Sequence, residues 1–426
     1  MKRILLRSKT TPLDIFDPVT FIEYDKSGTN LGNLLYQHAV YKHLSHETQN
    51  ITINNNSVNL KRVDYINNNY DHFVVPLANA FRPSYEKNLK KLTEFIKMLD
   101  IPVTIVGVGA QTDSEFNFDN LNKINSTVKE FLSVVFDKGS SIGVRGEGTK
   151  AYIEELGFYN KAEVIGCPSL FTFPENIRNM DKKDVLPTNA KLALNLSVTG
   201  PQAAFSNHLN NFEKIFKHNY YFYDDVYYIP QETRSLELLT YGVAKRKGIE
   251  HGMLDPRLSK ILFTEDKIKF FLNSYSWFEF FKSRDFTFGT RLHGCIASLV
   301  AGTPAMLFAH DSRTLEIARH FKLPYLELNR INEVLDASEI YNNIDLSPMK
   351  TIYQENLSKY SSFLRSNGLE TIVDNDENMK IFDEKISDEH RQLIVTPLQM
   401  NQKSIGERLH WLKQNYDFKL SKRQNV

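Results

Sequence analysis

Short apolar runs alternate with amphipathic stretches along most of the chain, the pattern of a mainly parallel sheet covered by helices. Phe73–Leu77 predicts a strand, and the helix expected after it carries Leu89, Leu92, Ile96 and Leu99 on one face. Pro102 restarts the chain into Val103–Val106, which runs into Gly107, Val108 and Gly109 as a buried parallel strand entering a loop does. Ser141–Val144 predicts the next strand, Arg145 and Gly146 its exit loop, and Glu147–Leu156 a helix stopped by Gly157. Val164 and Ile165 give another strand that ends at Gly166.

Pro174–Asn189 has two prolines and many polar residues, and reads as an interdomain linker. The expected units are therefore residues 1–175, 190–335 and a helical extension over 350–426 that packs back over both. The second unit opens with Leu192–Leu196, continues with Val226–Ile229, and shows its clearest β/α repeats between Phe286 and Leu323. The Asn-rich stretch Gln49–Asn69 reads as a solvated insertion.

At 426 residues the chain exceeds the size at which one core stops growing, which agrees with two domains. Its 41% hydrophobic and 24% charged residues, with a mean hydropathy of −0.38, are those of a globular protein. A net charge of +1 without long basic runs argues against a nucleic-acid partner. MKRILLR is basic like a leader, but its apolar stretch is only three residues and no cleavage site follows, so a cytoplasmic location is expected. The C-terminal Trp411, Lys413, Lys419, Lys422 and Arg423 could touch anionic lipid, although their apolar face is short and a solvated tail is the simpler reading. The two cysteines, Cys167 and Cys295, have no disulfide, zinc or redox spacing and read as buried residues. No metal motif is present, and Gly107 and Gly109 lack the third glycine of a dinucleotide loop.

The chemistry concentrates at GTRLHGC, Gly289–Cys295, which follows the strand Phe286–Phe288 and opens a short helix. A helix start offers free N–H groups and positive dipole to an anion, and Arg291 and His293 add side-chain donors. That helix ends at Gly302; the next strand, Ala305–Phe308, exits through His310, Asp311, Ser312 and Arg313. In a parallel sheet both exits lie at one edge, where ligands bind in open α/β folds, so Arg291, His293, His310, Asp311 and Arg313 could converge. Each of them could equally be a helix cap or an ordinary ion pair.

The segment Gly289–Pro324 resembles the C-terminal signature of the polysaccharide pyruvyl transferase family: an R-x-H helix start, a G-x-P turn and a strand leading into a mixed-charge loop. Ser141–Phe158 resembles the family's strand, arginine and helix, Ile165–Phe171 the piece after it, and Asn30–Asn33 its N-x-G-D stretch with asparagine in the last position. The resemblance implies two Rossmann-like domains facing across a cleft (GT-B-like), with C-terminal helices packing back. It implies transfer of the enolpyruvyl carbons of phosphoenolpyruvate to two hydroxyls of a lipid-linked saccharide acceptor, with no cofactor beyond that co-substrate.

Under that resemblance Arg291 is the first choice for the donor's anionic groups, with Arg145, Arg313 and His310 in support. His293 is the choice for proton transfer, with Asp311 orienting it or acting as base. Asn30 and Asn33 would hold acceptor hydroxyls, Asn30 being as readily a helix cap. The competing reading is a GT-B glycosyltransferase using a nucleotide sugar, and a third is a non-catalytic saccharide-binding scaffold.

Overall fold

A computed structural model describes residues 1–113, 115–196, 214–242, 261–398, 405–407 and 409–410. The basic residues from Trp411 onward lie outside the described residues. The first sheet contains β1 (Lys2–Leu6), β2 (Gln49–Ile53), β3 (His72–Pro76) and β4 (Val103–Val106) in the order β2-β1-β3-β4, all parallel. It continues through β5 (Ile142–Val144) and β6 (Ala162–Val164), because Gly107 and Val108 donate to the Gly143 carbonyl beyond the end of β4. Every residue of β3 and β4 is buried, as strands covered on both faces require.

The second sheet has the order β12-β11-β10-β7-β8 and is again wholly parallel. Its strands are β7 (Lys191–Leu194), β8 (Asp225–Tyr228), β10 (Phe286–Gly289), β11 (Ala305–Ala309) and β12 (Tyr325–Glu327). The short β9 (Phe270–Phe271) pairs antiparallel with β13 (Ile394–Val395) near the end of the chain. Two parallel α/β sheets facing across a cleft, with C-terminal helices on top, is the architecture expected from the sequence.

One segment carries no element in the sequence reading, and another differs from it. Lys2–Leu6, inside the leader-like start, is a strand of the first sheet paired on both sides, with Ile4, Leu5 and Leu6 buried. The Asn-rich stretch is not a loose insertion. It supplies the edge strand β2 and the helix Val63–Asn69, which buries Val63 and Ile66 while its asparagines face outward. Alternation of single apolar positions with asparagine is what an edge strand and a covering helix need, and composition alone hides it.

The C-terminal helix Ser347–Ser366 buries Met349, Tyr353, Leu357, Tyr360, Phe363 and Leu364 in the core shared with both sheets. Tyr360 stacks on Phe171 at 5.2 Å, and Tyr353 donates to the Leu170 carbonyl at 2.8 Å. A buried ion pair then ties three regions together. Lys42, on the helix Gly32–His43, meets Asp383 at 2.6 Å and donates to the Thr172 carbonyl at 2.9 Å, and Tyr275 donates to the same carboxylate at 2.5 Å. Burial pulls the Lys42 ammonium down to about 8, with Asp383 holding it up against a further fall.

Removing one partner of such a pair leaves a buried charge uncompensated. Asp383→Ala is expected to destabilise the protein by about 3 kcal/mol in urea unfolding. A loss below about 0.5 kcal/mol would show that the pair behaves as a solvated surface pair.

Candidate functional site

The C-terminal ends of β1, β3, β4 and β5 in one domain face those of β10 and β11 in the other. Between them lies a cleft of about 640 Å³ lined by Arg7, Lys9, Arg82, Lys91, Arg145 and Arg313, with His293, Tyr36, Tyr85 and several asparagines. Among the described residues its lining contains no aspartate or glutamate. A cavity walled by one sign of charge is a site for an anion.

Arg145 leaves β5 buried, at 3% exposure, and its Nε donates to the Gly107 carbonyl at 2.9 Å. Gly109 leaves space for it: a Cβ at that position would lie 3.1 Å from the Arg145 Cδ. The guanidinium stands 5.9 Å from the Tyr36 ring centroid. The two glycines after β4 therefore serve an arginine and not a dinucleotide. Arg82 lies 5.6 Å from the Tyr85 ring centroid, and burial together with Arg313 and Arg145 lowers its pKa. Asn79, with its amide oxygen turned toward them, accepts from Arg82 at 2.8 Å and from Arg313 at 3.3 Å, across the two domains. Arg7, at the exit of β1, donates to the Tyr85 hydroxyl at 3.1 Å.

The second domain contributes His293 and Arg313. Gly289, with φ of +155°, turns the chain from β10 into the helix Leu292–Val300, at a point where a side chain would strike Asn195. His293 then lies over Gly32, the first residue of the helix Gly32–His43; a Cβ there would come within 2.5 Å of Nδ1. Its Nε2 is 3.9 Å from the Cys167 sulfur. Burial, with Arg145 and Arg313 nearby, pushes the imidazole down to about 3, so it is neutral. Asp311 caps the helix Ser312–Phe321 in a reciprocal box with Thr314 and accepts from Arg313 Nε at 2.7 Å. Burial would raise this carboxyl, but Arg313 and His310 keep it below the usual range.

The structure thus brings together three of the expected donor-site residues, Arg145, His293 and Arg313. Three others stand outside the cleft lining. Arg291 is paired with Glu232, and burial lowers it to about 10. Asp311 is committed to its helix and to Arg313, and His310 sits behind it, 3.7 Å from the carboxylate. Neighbours in sequence at a helix start point to different sides, so R-x-H places only one of its two side chains on the cleft. Asn30 and Asn33 both line the cleft. Asn30, just ahead of the helix Gly32–His43, also accepts from the Gly32 amide at 2.8 Å, and Asn33 donates to the carbonyls of Ser27 and Gly28 at 2.9 and 3.1 Å. An aspartate at position 33 could not make those two donations, so this chain's departure from N-x-G-D goes with a loop held by an amide. Cys295 is buried, its thiol pushed up to about 12, and is chemically inert.

Arg7, Arg82, Tyr36 and Glu316 were not legible as site residues. The first two follow apolar runs at strand ends, a signal that marks every strand exit alike. Glu316, on the helix Ser312–Phe321, crosses to the other domain and accepts from the Thr149 amide at 3.0 Å and its hydroxyl at 2.7 Å. Gly146 and Gly148 leave room for it. Burial raises this carboxyl to about 7 against the pull of Thr149 and Arg145.

The model of the polysaccharide pyruvyl transferase family matches residues 30–312, two thirds of the chain. The protein belongs to the polysaccharide pyruvyl transferase family, a family of transferases. No curated protein sequence matches it significantly. Solved structures similar to it include S. aureus MnaA with UDP (10% identity, TM-score 0.41, covering 90% of this chain and 95% of that one). Methanocaldococcus jannaschii UDP-GlcNAc 2-epimerase with UDP-GlcNAc and UDP (13%, 0.45, 83% and 99%) and the glycosyltransferase SnogD from Streptomyces nogalater (10%, 0.31, 90% and 99%) are similar too. Scores below 0.5 say nothing about substrate. No helix among the described residues is long and apolar enough to cross a membrane.

Glu316 gives a pH test of the interdomain contact. A carboxyl raised from 4.5 to about 7 on folding favours the folded state most below pH 4.5, and that contribution is lost as pH rises through 7. The difference in unfolding free energy between the Glu316→Gln variant and the parent should therefore grow, in favour of the variant, between pH 5 and 8. A shift of this size corresponds to on the order of 3 kcal/mol. A difference independent of pH would show that Glu316 titrates as an ordinary carboxyl.

Proposed function

We propose that this protein transfers the enolpyruvyl carbons of phosphoenolpyruvate to two hydroxyls of a saccharide, forming a pyruvate ketal in the synthesis of a surface polysaccharide. The observation that carries this reading is the cluster of Arg82, Arg145 and Arg313 around His293, in a cleft lining without a described carboxylate. A donor carrying both a carboxylate and a phosphate matches several planar guanidinium forks better than a single point charge would.

The chemistry needs a proton delivered to C3 of the donor, so that C2 becomes electrophilic. One sugar hydroxyl then forms a C–O bond to C2, the bond from C2 to the phosphate oxygen breaks, and the second hydroxyl closes the ketal. Of the two hydroxyl protons, one replaces the proton given to C3 and the other leaves with phosphate, so the reaction is balanced without any other reagent. His293 is the residue placed for this exchange: as imidazolium it gives a proton to C3, and as imidazole it takes one from the attacking hydroxyl. Burial is the main reason this imidazole is neutral, with Arg145 and Arg313 adding to it, and the donor's charge would offset the part that the arginines contribute. The donor's charge thus moves the histidine toward its acid form. Asp311 acts through Arg313, as a positioning residue.

Thermal melting with phosphoenolpyruvate is expected to show stabilisation that Arg145→Gln removes, its Kd rising about tenfold or more. Stabilisation by a nucleotide sugar and not by phosphoenolpyruvate would favour a glycosyl donor instead. Calorimetry at pH 7.5 in buffers of different ionisation heat should show proton uptake on donor binding. His293→Asn should abolish that uptake, and binding without uptake would remove His293 from the acid role.

A further inference from the structure

Phosphoenolpyruvate brings about three negative charges at neutral pH, one from its carboxylate and up to two from its phosphate. Arg82, Arg145 and Arg313, grouped with His293, suffice for it. The cleft continues beyond them to a second group of cations from the first domain alone. Arg7 meets Tyr85 from the hydroxyl, whereas Arg82 lies by the ring of that same tyrosine. The Arg7 Nε is buried with no hydrogen-bond partner, and no ion pair of Arg7 with a carboxylate occurs among the described residues. Tyr85, Asn88 and Lys91 are spaced by three along the start of the helix Glu86–Lys97, so they share the face that lines the cleft. Asn56, at φ of +57° in the Asn-rich loop, lines the same cleft. A half-buried guanidinium with an unused donor, beside a lysine and amides, is costly unless an anion completes it.

We propose that Arg7, Asn88 and Lys91, with Asn56, form a second anion subsite that holds a phosphate or diphosphate carried by the saccharide acceptor. The assignment to an acceptor rests on the reading of phosphoenolpyruvate as donor; the anion subsite itself does not. A diphosphate of this kind could come from a polyprenyl carrier or from a nucleotide, and both present the same oxygens to Arg7.

The test titrates the full-length protein with inorganic pyrophosphate, with and without saturating phosphoenolpyruvate, and follows both binding and melting temperature. Pyrophosphate is expected to bind and stabilise the donor-saturated protein further. Arg7→Gln should weaken pyrophosphate about tenfold while changing the phosphoenolpyruvate Kd less than about twofold, and Arg145→Gln should do the reverse. Lys91→Gln, on an exposed side chain, should move pyrophosphate in the same direction as Arg7→Gln and serves as a second variant that leaves the fold intact. Competition between the two ligands for one site, or an Arg7→Gln variant that loses both equally, would overturn the proposal. So would failure of pyrophosphate to bind. If pyrophosphate binds through Arg7 while phosphoenolpyruvate does not bind at all, the donor reading fails and the subsite stands. Farnesyl diphosphate and UDP, run beside pyrophosphate, distinguish the source: the one bound more tightly than pyrophosphate carries the matching tail. If both bind more than tenfold more weakly, the acceptor assignment is wrong.

Discussion

Repulsion among the guanidinium groups of the cleft is the constraint on which the rest of this structure turns. Two like charges about 6 Å apart at an effective dielectric of about 20 repel by about 3 kcal/mol. Arg82, Arg145 and Arg313 are kept together by neutral dipoles: the Gly107 carbonyl, the Asn79 amide and the faces of Tyr36 and Tyr85. Among the described residues, Arg313 alone of the three has a carboxylate of its own, and that carboxylate is tied into a helix cap. Such an arrangement is poised for an anion from solution, because an internal acid would neutralise the site before substrate arrived.

The same field governs the two titratable groups beside it. His293 is held neutral, and a second buried carboxylate, Glu316, stands outside the cleft lining and accepts from the Thr149 amide and hydroxyl. By bridging the domains there, Glu316 fixes the start of the helix Glu147–Glu155, two residues beyond Arg145, without cancelling the arginine's charge. Position and electrostatics are thus served by different groups, with glycines at 109, 146 and 148 making the close approach possible.

Such a cleft also needs two domains that do not drift. His38 bridges Thr10 and Ser274 at 2.8 Å on either side, Lys42 and Tyr275 share Asp383, and the helix Ser347–Ser366 lays Tyr353 and Tyr360 on Phe171, whose ring in turn meets Phe321 of the second domain. His293 reaches from the second domain onto Gly32 of the first, so this cleft histidine is itself part of the seam. The family assignment makes the protein a transferase, and this geometry gives it a cationic cleft between its two sheets.

What the sequence determined by itself was local. Runs such as Phe73–Pro76 and Val103–Val106 must be strands because β-branched apolar residues without polar alternation suit a sheet covered on both faces. The order of strands and turns around GTRLHGC marked a helix start at a sheet edge, and His293 and Arg313 were legible there. Tertiary structure decided which charges face which. Arg291 and Arg145 look alike in sequence, yet one is paired with Glu232 and the other donates to the Gly107 carbonyl and lines the cleft, because pairing depends on residues tens of positions away. Arg7 lay hidden in a basic start and Asn56 in a polar stretch, since local composition cannot tell a solvated residue from one that lines a cavity. Periodicity reports the neighbours a residue has along its own element, whereas electrostatics depends on distance in space, and only the folded chain sets that.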